Sequence, residues 1–270
     1  MINDIPGEIV RFDEIDSTND EAKRYLESKE PGKGVIFLAE QQTKGKGRLG
    51  REWNTSSGKN IMMSLLRETS LPADRISAVT LLAGIAVADA INEKLSEDIS
   101  GSDGQKLRAS IKWPNDIVIN KKKVCGILTE LCIKEEKKYI IPGIGINVNE
   151  TSYPDDLKDK ATSLLLETGK EWDRDDLIEA VISRLASLID LYEKSWSLEF
   201  IKDHYNSLLI NKDSEVYLTG QDNDGNGQNA EKVISRGIDE NGALLVEDAE
   251  GIIKAVISGE VSVRGLYGYV

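Results

Sequence analysis

The stretch Ile117–Asn149, IVINKKKVCGILTELCIKEEKKYIIPGIGINVN, decides the fold class. It contains three apolar runs, at 117–120, 124–133 and 138–149, and charged turns rich in lysine and glutamate separate them. Apolar runs joined by short polar turns are typical of antiparallel β-hairpins. One more strand is predicted before them, at Ala109–Trp113, and Pro114 stops it. This region therefore predicts an antiparallel sheet.

Further strands and four helices are predicted on either side of the hairpins. The first helix opens at Ser17, where Thr18 and Glu21 fit a capping box. The longest apolar stretch, 76–91, contains Thr80 and Asp89 and is too short to span a bilayer, so it predicts a buried helix. The predicted strands are Glu8–Glu14, Gly34–Glu40 and Asn60–Arg67, and the other helices are Pro72–Leu95, Asp175–Ser195 and Leu198–Leu208.

The last part of the chain has a different character, because short strands recur there. Asn241-Gly242 between two of them is a strong hairpin signal, and five short strands favour a small barrel. We place the domain boundary near Asn211, which gives domains 1–211 and 212–270. Polar loops are predicted at 96–105 and 221–229. The five strands are Glu215–Leu218, Lys232–Gly237, Ala243–Glu247, Ile252–Val256 and Val261–Arg264.

Composition limits the classes of function. The net charge of −13 opposes binding to nucleic acid or to an anionic membrane. The first residues, MINDIPGEIV, lack the features of a signal peptide. Cys125 and Cys132 form no CxxC motif and are predicted to be apolar fillers in a reducing, cytoplasmic compartment. The single histidine, His204, is predicted to lie on the surface, and no GxSxG motif suggests a catalytic triad.

The segment Gln42–Trp53, QTKGKGRLGREW, is the most informative for function. Its three glycines satisfy G-x-G-x-x-G, but a dinucleotide site needs a helix after the loop, and a strand is predicted here instead. A dinucleotide-dependent oxidoreductase is therefore disfavoured. The loop also carries four cations, which suit a carboxylate or phosphate ligand among glycines that allow close backbone approach. A solvated basic loop is the alternative from composition alone.

Two other segments carry candidate polar contacts. Asn115 and Asp116 follow a strand end and form either a plain turn or a contact with a nucleotide and its Mg²⁺. Lys123 abuts an apolar strand and is predicted to point inward. In the segment 143–147, GIGIN, the glycines predict close backbone approach. Asn147 would then contact an adenine edge or a phosphate, or would simply end the strand.

These segments together resemble the biotin–protein ligase family. The resemblance covers nearly the whole chain in the family's order: DSTN at 16–19, the GKGRLGREW loop, KWPND, KVCGIL, GIGIN and a C-terminal segment with SRGIDENGALLVE. It implies an α+β fold, in which a mixed β-sheet with flanking helices, similar to class II synthetases, precedes a small SH3-like barrel. The motifs start close to Met1, so we expect the form without an N-terminal DNA-binding domain.

The resemblance also implies roles for individual residues. Lys123 and Arg48 are expected to be catalytic. Asp116 is the expected Mg²⁺ ligand. The residues expected to bind biotin are Ser17, Thr18, Asn19, Gln42, Lys46, Gly47, Arg48 and Lys123. Those expected to bind ATP are Arg51, Trp53, Asn115, Asp116 and Asn147.

The activity implied is formation of biotinyl-5'-AMP from biotin and ATP, followed by transfer of biotin to one lysine of a biotin carboxyl carrier protein. A homodimer without repressor activity, nucleic-acid binding or membrane attachment is expected. Many relatives have arginine where Lys46 stands, and lysine keeps the charge but loses the bidentate fork. The alternatives are a lipoate–protein ligase and a non-catalytic regulator that binds biotin or a nucleotide.

Overall fold

The computed structural model describes residues 7–53, 56–96, 106–220, 231–257 and 261–265. Within them the chain forms two β-sheets and five α-helices. The strands are β1 (Glu8–Ile15), β2 (Val35–Gln42), β3 (Ile61–Thr69), β4 (Ser110–Lys112), β5 (Asp116–Ile119), β6 (Lys122–Lys134), β7 (Lys137–Ile146), β8 (Ser214–Gly220), β9 (Glu231–Ile238), β10 (Leu244–Glu247), β11 (Ile253–Val256) and β12 (Val261–Gly265). The helices are α1 (Thr18–Ser28), α2 (Ser77–Leu95), α3 (Leu164–Thr168), α4 (Arg174–Ser195) and α5 (Glu199–Leu208).

The larger sheet has seven strands in the order β1-β2-β3-β7-β6-β5-β4. Strands β1 and β2 are parallel, and the other neighbours are antiparallel. The predicted hairpins are confirmed, because β4, β5, β6 and β7 pair in sequence order. A mixed sheet flanked by helices confirms the predicted α+β class.

Both faces of this sheet are covered. On one face α1 contributes Ala22 and Leu26 to a small apolar cluster with Phe37 and Tyr139. On the other face α2, α4 and α5 contribute to the main core. The central strands β2 and β3 are buried through most of their length. Burial on both faces explains why their sequences are continuous apolar runs rather than alternating ones.

The N-cap of helix α1 lies one residue before Thr18, the first residue of the predicted capping box. Its N-cap is Ser17, whose side chain accepts a hydrogen bond from the backbone N–H of Asp20. The predicted capping box between Thr18 and Glu21 is therefore wrong. The reason is tertiary, since the backbone N–H and the hydroxyl of Thr18 both contact Oε1 of Gln42.

Helix α2 is the central element of the main core. A single 3₁₀ turn, Ala73–Arg75, precedes it, so the α-helix proper begins later than the predicted Pro72. By length and composition alone, Ala73–Leu95 is long and apolar enough to cross a membrane. However, 72% of its most apolar window is buried inside the protein, as the sequence predicted for a core helix.

The five strands predicted in the C-terminal part are confirmed as a second antiparallel sheet, ordered β11-β10-β9-β8-β12. The predicted turn at Asn241-Gly242 joins β9 to β10, and Gly242 has φ 86°. Buried side chains of this sheet, including Val216 and Val246, belong to the main core. The domain boundary near Asn211 stays a prediction, and the two predicted polar loops lie, apart from Ser96, outside the described residues.

The remaining single-residue predictions concern the surface and the thiols. His204 on α5 is exposed and lies 2.9 Å from both carboxylate oxygens of Asp89, which confirms a surface position. Cys125 and Cys132 are both free thiols on β6. Cys125 is fully buried, in agreement with an apolar filler.

Candidate active site

A narrow cavity with about 50 Å³ of free space lies where the glycine-rich loop crosses the large sheet beside the start of α1. Its floor is formed by apolar side chains and bare glycines of the sheet. The predicted site residues that line it are Ser17, Thr18, Asn19, Gln42, Lys46, Gly47, Arg48, Trp53, Asn115 and Lys123. The remaining lining residues are Met62, Met63, Gly126, Ile127, Leu128, Gly143, Ile144 and Gly145.

One end of the cavity is neutral and polar. Ser17, Thr18 and Asn19 are each less than 5% exposed, because the first turn of α1 is pressed against the sheet. Oε1 of Gln42 accepts from the Thr18 backbone N–H at 2.7 Å and from the Thr18 hydroxyl at 3.1 Å. The Ser17 hydroxyl caps the helix by accepting, so its own proton can be donated to a ligand.

Because glycine has no side chain, the side chains of Asn19 and Trp53 can lie directly against the backbone of the strands. A Cβ at Gly143 would lie 2.2 Å from Oδ1 of Asn19, and one at Gly145 would lie 2.6 Å from the Trp53 ring. The Trp53 ring also passes over Gly126, where a Cβ would come within 2.9 Å. The close backbone approach predicted for the GIGIN segment is therefore confirmed.

The glycine-rich loop folds back on itself as a short hairpin. The backbone N–H of Gly47 donates to the carbonyl of Arg51 at 2.7 Å, and that of Trp53 donates to Gly45 at 2.9 Å. After the loop the chain enters β3 rather than a helix. The predicted strand after the loop is confirmed, whereas a dinucleotide fingerprint needs a helix N-terminus after the glycines.

The other end of the cavity is cationic. Nζ of Lys123 lies 2.6 Å from Oδ1 of Asp116, and Arg48 donates to Oδ1 of Asn115 at 2.9 Å. Burial lowers the pKa of Arg48 from its ordinary value, while the nearby charge of Asp116 acts in the opposite sense. An arginine stays charged despite such a shift. Two positive charges thus face the cavity, and Asn115 and Asp116 of the KWPND segment hold them in position.

Three predicted residues are placed differently from the others. Arg51 is exposed and lines a neighbouring open cleft on the outer face of the loop. Asn147 is buried and donates to the carbonyl of Thr162 at 3.1 Å, so it holds the following segment in place. Lys46 lines the cavity, but its ammonium lies 2.7 Å from Asp20 on α1.

The described residues form no preformed metal cluster. They contain no group of three or more His, Cys, Asp or Glu side chains that could hold an ion. Asp116, the predicted Mg²⁺ ligand, is ion-paired with Lys123. The carboxylate thus positions the ammonium, and its role as a Mg²⁺ ligand stays a prediction.

Sequence reasoning missed Ser64 and Glu130. Ser64 on β3 is fully buried and contacts both Thr18 and Asn19. Glu130 on β6 accepts from Asn19 and from Lys23. The available signal was a polar residue within an apolar strand, namely Ser64 in IMMSLL and Glu130, which follows Thr129, in GILTEL.

Comparison with known families assigns the class of the molecule. The model of the Biotin/lipoate A/B protein ligase family matches residues 12–147, and the model of the Biotin protein ligase C terminal domain matches residues 224–264. The molecule is therefore an enzyme of the protein ligase class. The chain belongs to the biotin/lipoate A/B protein ligase family and carries the biotin protein ligase C-terminal domain.

Individual relatives agree with the family models. The Bifunctional ligase/repressor BirA of Bacillus spizizenii is 32% identical over 96% of this chain and 75% of its own length. The Biotin--[acetyl-CoA-carboxylase] ligase of Mycobacterium tuberculosis is 29% identical over 84% of this chain and 78% of its own. The biotin protein ligase from Aquifex aeolicus, solved in complex with biotin and ATP, has a TM-score of 0.78 at 31% identity, covering 96% and 99% of the two chains.

Proposed function

We propose that this enzyme activates biotin with ATP to biotinyl-5'-AMP and transfers the biotinyl group to a lysine of a biotin carboxyl carrier domain. One observation carries the proposal: the cavity joins a neutral polar end at α1 to a cationic end at Arg48 and Lys123 across an apolar floor. Biotin has the matching sequence of groups, namely a ureido ring, an aliphatic chain and a carboxylate. A site of this kind fixes the orientation of its ligand with few polar contacts.

The residues divide into two sets along the ligand. Ser17 and Thr18 would contact the ureido ring, with Gln42 holding Thr18 in place. Lys123 and Arg48 would lie at the carboxylate and the α-phosphate of ATP. Trp53, Asn115 and Asp116 support these two cations. Arg51 is proposed to act at the nucleotide from the neighbouring cleft, and Asn147, which is buried, remains a proposed nucleotide contact.

In the first step a carboxylate oxygen of biotin attacks the α-phosphorus of ATP, and pyrophosphate leaves. Two anions must approach one another, so preorganised cations stabilise the transition state more than the separated reactants. One such interaction in a preorganised site is typically worth about 3–4 kcal/mol. Lys123 and Arg48 would supply this stabilisation.

In the second step the acceptor's neutral lysine amine attacks the carbonyl carbon of the adenylate. The new amide forms, AMP leaves, and the amine gives up its proton. This route needs no enzyme nucleophile. The glycine-rich loop, which covers the cavity through Gly47 and Arg48, would protect the mixed anhydride from water.

Magnesium enters this proposal only with the nucleotide. Mg²⁺ in nucleotide enzymes is commonly held by substrate phosphates with few protein ligands. The described residues offer no preformed metal cluster, and no step above depends on one.

The acceptor is inferred from chemistry and from the relatives. A lysine presented on a carrier domain is the nucleophile that the second step requires, and the name of the M. tuberculosis relative refers to acetyl-CoA carboxylase. By the same resemblance we propose a homodimer in the cytoplasm. Free thiols on β6 are consistent with a reducing compartment.

The experiment that tests the function is exchange of labelled pyrophosphate into ATP. Exchange that depends on biotin, and that lipoate does not support, is the expected result. Exchange with lipoate alone would identify the enzyme as a lipoate–protein ligase. A folded protein that supports no exchange with either acid would contradict adenylation and favour a binding regulator.

A further inference from the structure

A β-bulge at Val124 directs the side chain of Lys123 into the cavity. On β6, Cys125 belongs to the main core and the next residue, Gly126, lines the cavity. Regular alternation would then turn Val124 toward the cavity and Lys123 toward the core. The opposite is found, because Val124 is fully buried in the main core and Lys123 lines the cavity. The pairing of β5 with β6 shifts by one residue at this point, and one extra residue reverses the faces.

The backbone of Lys123 is paired with a segment outside the large sheet. Strand β7 pairs with β6 only as far as Cys125. Beyond it the backbone N–H of Lys123 donates to the carbonyl of Lys160 at 2.8 Å, and the N–H of Thr162 donates to the carbonyl of Lys123 at 2.9 Å. The segment 160–162 therefore replaces β7 beside the bulge, and the position of Lys123 depends on how firmly that segment is held.

Glu167 on α3 holds this segment through a second hydrogen bond to the start of β6. Its Oε1 accepts from the Thr162 hydroxyl at 2.6 Å, and its Oε2 accepts from Nδ2 of Asn120 at 2.6 Å. Asn120 lies in the tight turn between β5 and β6, three residues before Lys123. Hydrogen bonds to a carboxylate are stronger than those between neutral groups. One side chain thus joins the turn before Lys123 to the segment beside it.

The bridge is anchored to the sheet but lies away from the substrate. Leu164 of α3 is fully buried, and its backbone N–H donates to the carbonyl of Asn147 at 3.1 Å. Asn120, Thr162 and Glu167 are not among the residues that line the cavity. An effect of Glu167 on the reaction would therefore have to pass through a residue that does line it.

We propose that Glu167 is a positioning residue for Lys123 and that it acts by holding the bulge at Val124. The inference rests on the proposed function, in which Lys123 meets the carboxylate of biotin and the α-phosphate of ATP. Without the bridge, the turn and the segment 160–162 move independently on the two sides of the bulge. The ammonium then spends less time at the reacting oxygens, and a misplaced charge stabilises the transition state less.

Three variants at the edge of the site test the bridge. Glu167→Ala should lower kcat of biotin-dependent pyrophosphate exchange about tenfold at saturating biotin and ATP. Glu167→Gln can still accept from Thr162 and can donate to a turned Asn120 amide, so it should stay within about twofold of the wild type. Glu171→Ala, at an exposed position four residues later, is the matched control and should exchange normally. A Glu167→Gln variant as slow as Glu167→Ala would overturn the proposal.

A double-mutant cycle separates positioning of Lys123 from a general loss of structure. In the Lys123→Ala chain, assayed at a proportionately higher enzyme concentration, Glu167→Ala should cause no further loss of exchange, because the ammonium that it positions is gone. A second loss of about tenfold in that chain would show that Glu167 acts on the fold or on another group, and would overturn the proposal.

Failure of this inference is distinguishable from failure of the proposed function. Biotin-dependent exchange by the wild-type enzyme tests the function alone. If the wild type exchanges and Glu167→Ala exchanges at the same rate, only the role of Glu167 is lost. If the wild type supports no exchange with biotin, both fall together.

Discussion

The ammonium of Lys123 is held between a carboxylate and an aromatic face, 2.6 Å from Oδ1 of Asp116 and 5.4 Å from the centre of the Trp53 ring. Its side chain is 24% exposed. The ion pair fixes the position of the charge, and the indole adds a cation–π attraction. The charge is therefore in place before a substrate binds, which is what electrostatic stabilisation of a transition state requires.

Replacing Lys123 by alanine should remove most adenylation. We expect biotin-dependent pyrophosphate exchange to slow by roughly 10²–10³-fold, the usual effect of removing one preorganised electrostatic contact. Lys121→Ala, at the exposed turn two residues earlier, is the matched control and should keep wild-type exchange. Normal exchange by a folded Lys123→Ala variant would exclude Lys123 from the mechanism.

Gly143→Ala should disturb the ligand end of the cavity. The new methyl would lie 2.2 Å from Oδ1 of Asn19, so the Asn19 amide or the start of α1 must shift, and the Kd of biotin should rise by about tenfold. Gly84→Ala, within α2, is the control, because the atom nearest to its added Cβ is Cδ1 of Ile111 at 3.8 Å. That substitution should stabilise the protein by up to about 1 kcal/mol without changing biotin binding. Calorimetry on both variants compares the two effects, and unchanged affinity in Gly143→Ala would contradict the packing argument.

Gly242→Ala should loosen the contact between the two sheets. Gly242 has φ 86°, its carbonyl accepts from Trp113 Nε1 at 3.2 Å, and a Cβ would lie 3.0 Å from Leu198. Gly251→Ala shares the positive φ but has no atom within 4 Å of the added Cβ. We expect Gly242→Ala to lower the Tm by several degrees more than Gly251→Ala, since about 1–2 kcal/mol of crowding adds to the backbone strain. Equal Tm values would show that the interface tolerates the methyl group.

Asp16, next to the N-cap of α1, is predicted to titrate abnormally. Two hydrogen bonds from Arg24, at 2.7 and 2.9 Å, are the main reason that its pKa falls from 3.8 to about 2. A depressed pKa in the folded state adds stability at neutral pH, and this contribution is lost as the pH falls from about 4 to 2. Carboxyl NMR titration of Arg24→Gln should show the Asp16 pKa returning toward 3.8. A value still near 2 would assign the shift to the Ser17 backbone N–H instead.

The local sequence pattern was sufficient to predict the hairpins of β4 to β7 and most of the helices, because apolar runs and turns are encoded within a few neighbouring residues. It was also sufficient for the glycines at 143 and 145. The N-cap was misplaced because Thr18 is held by Gln42, 24 residues away. Ser64 and Glu130 were missed for the same reason, since their partners on α1 are distant in sequence and only the folded sheet brings them together.

The closure of the glycine-rich loop on itself has a consequence for how the cavity opens. Hydrogen bonds from Gly47 to Arg51 and from Trp53 to Gly45 tie both sides of the loop together, and the Trp53 ring is anchored on Gly145. We expect a segment tied in this way to move as one unit rather than to unfold. Holding it over a bound ligand would then cost little additional backbone entropy, and more of the ligand's binding free energy would appear as affinity.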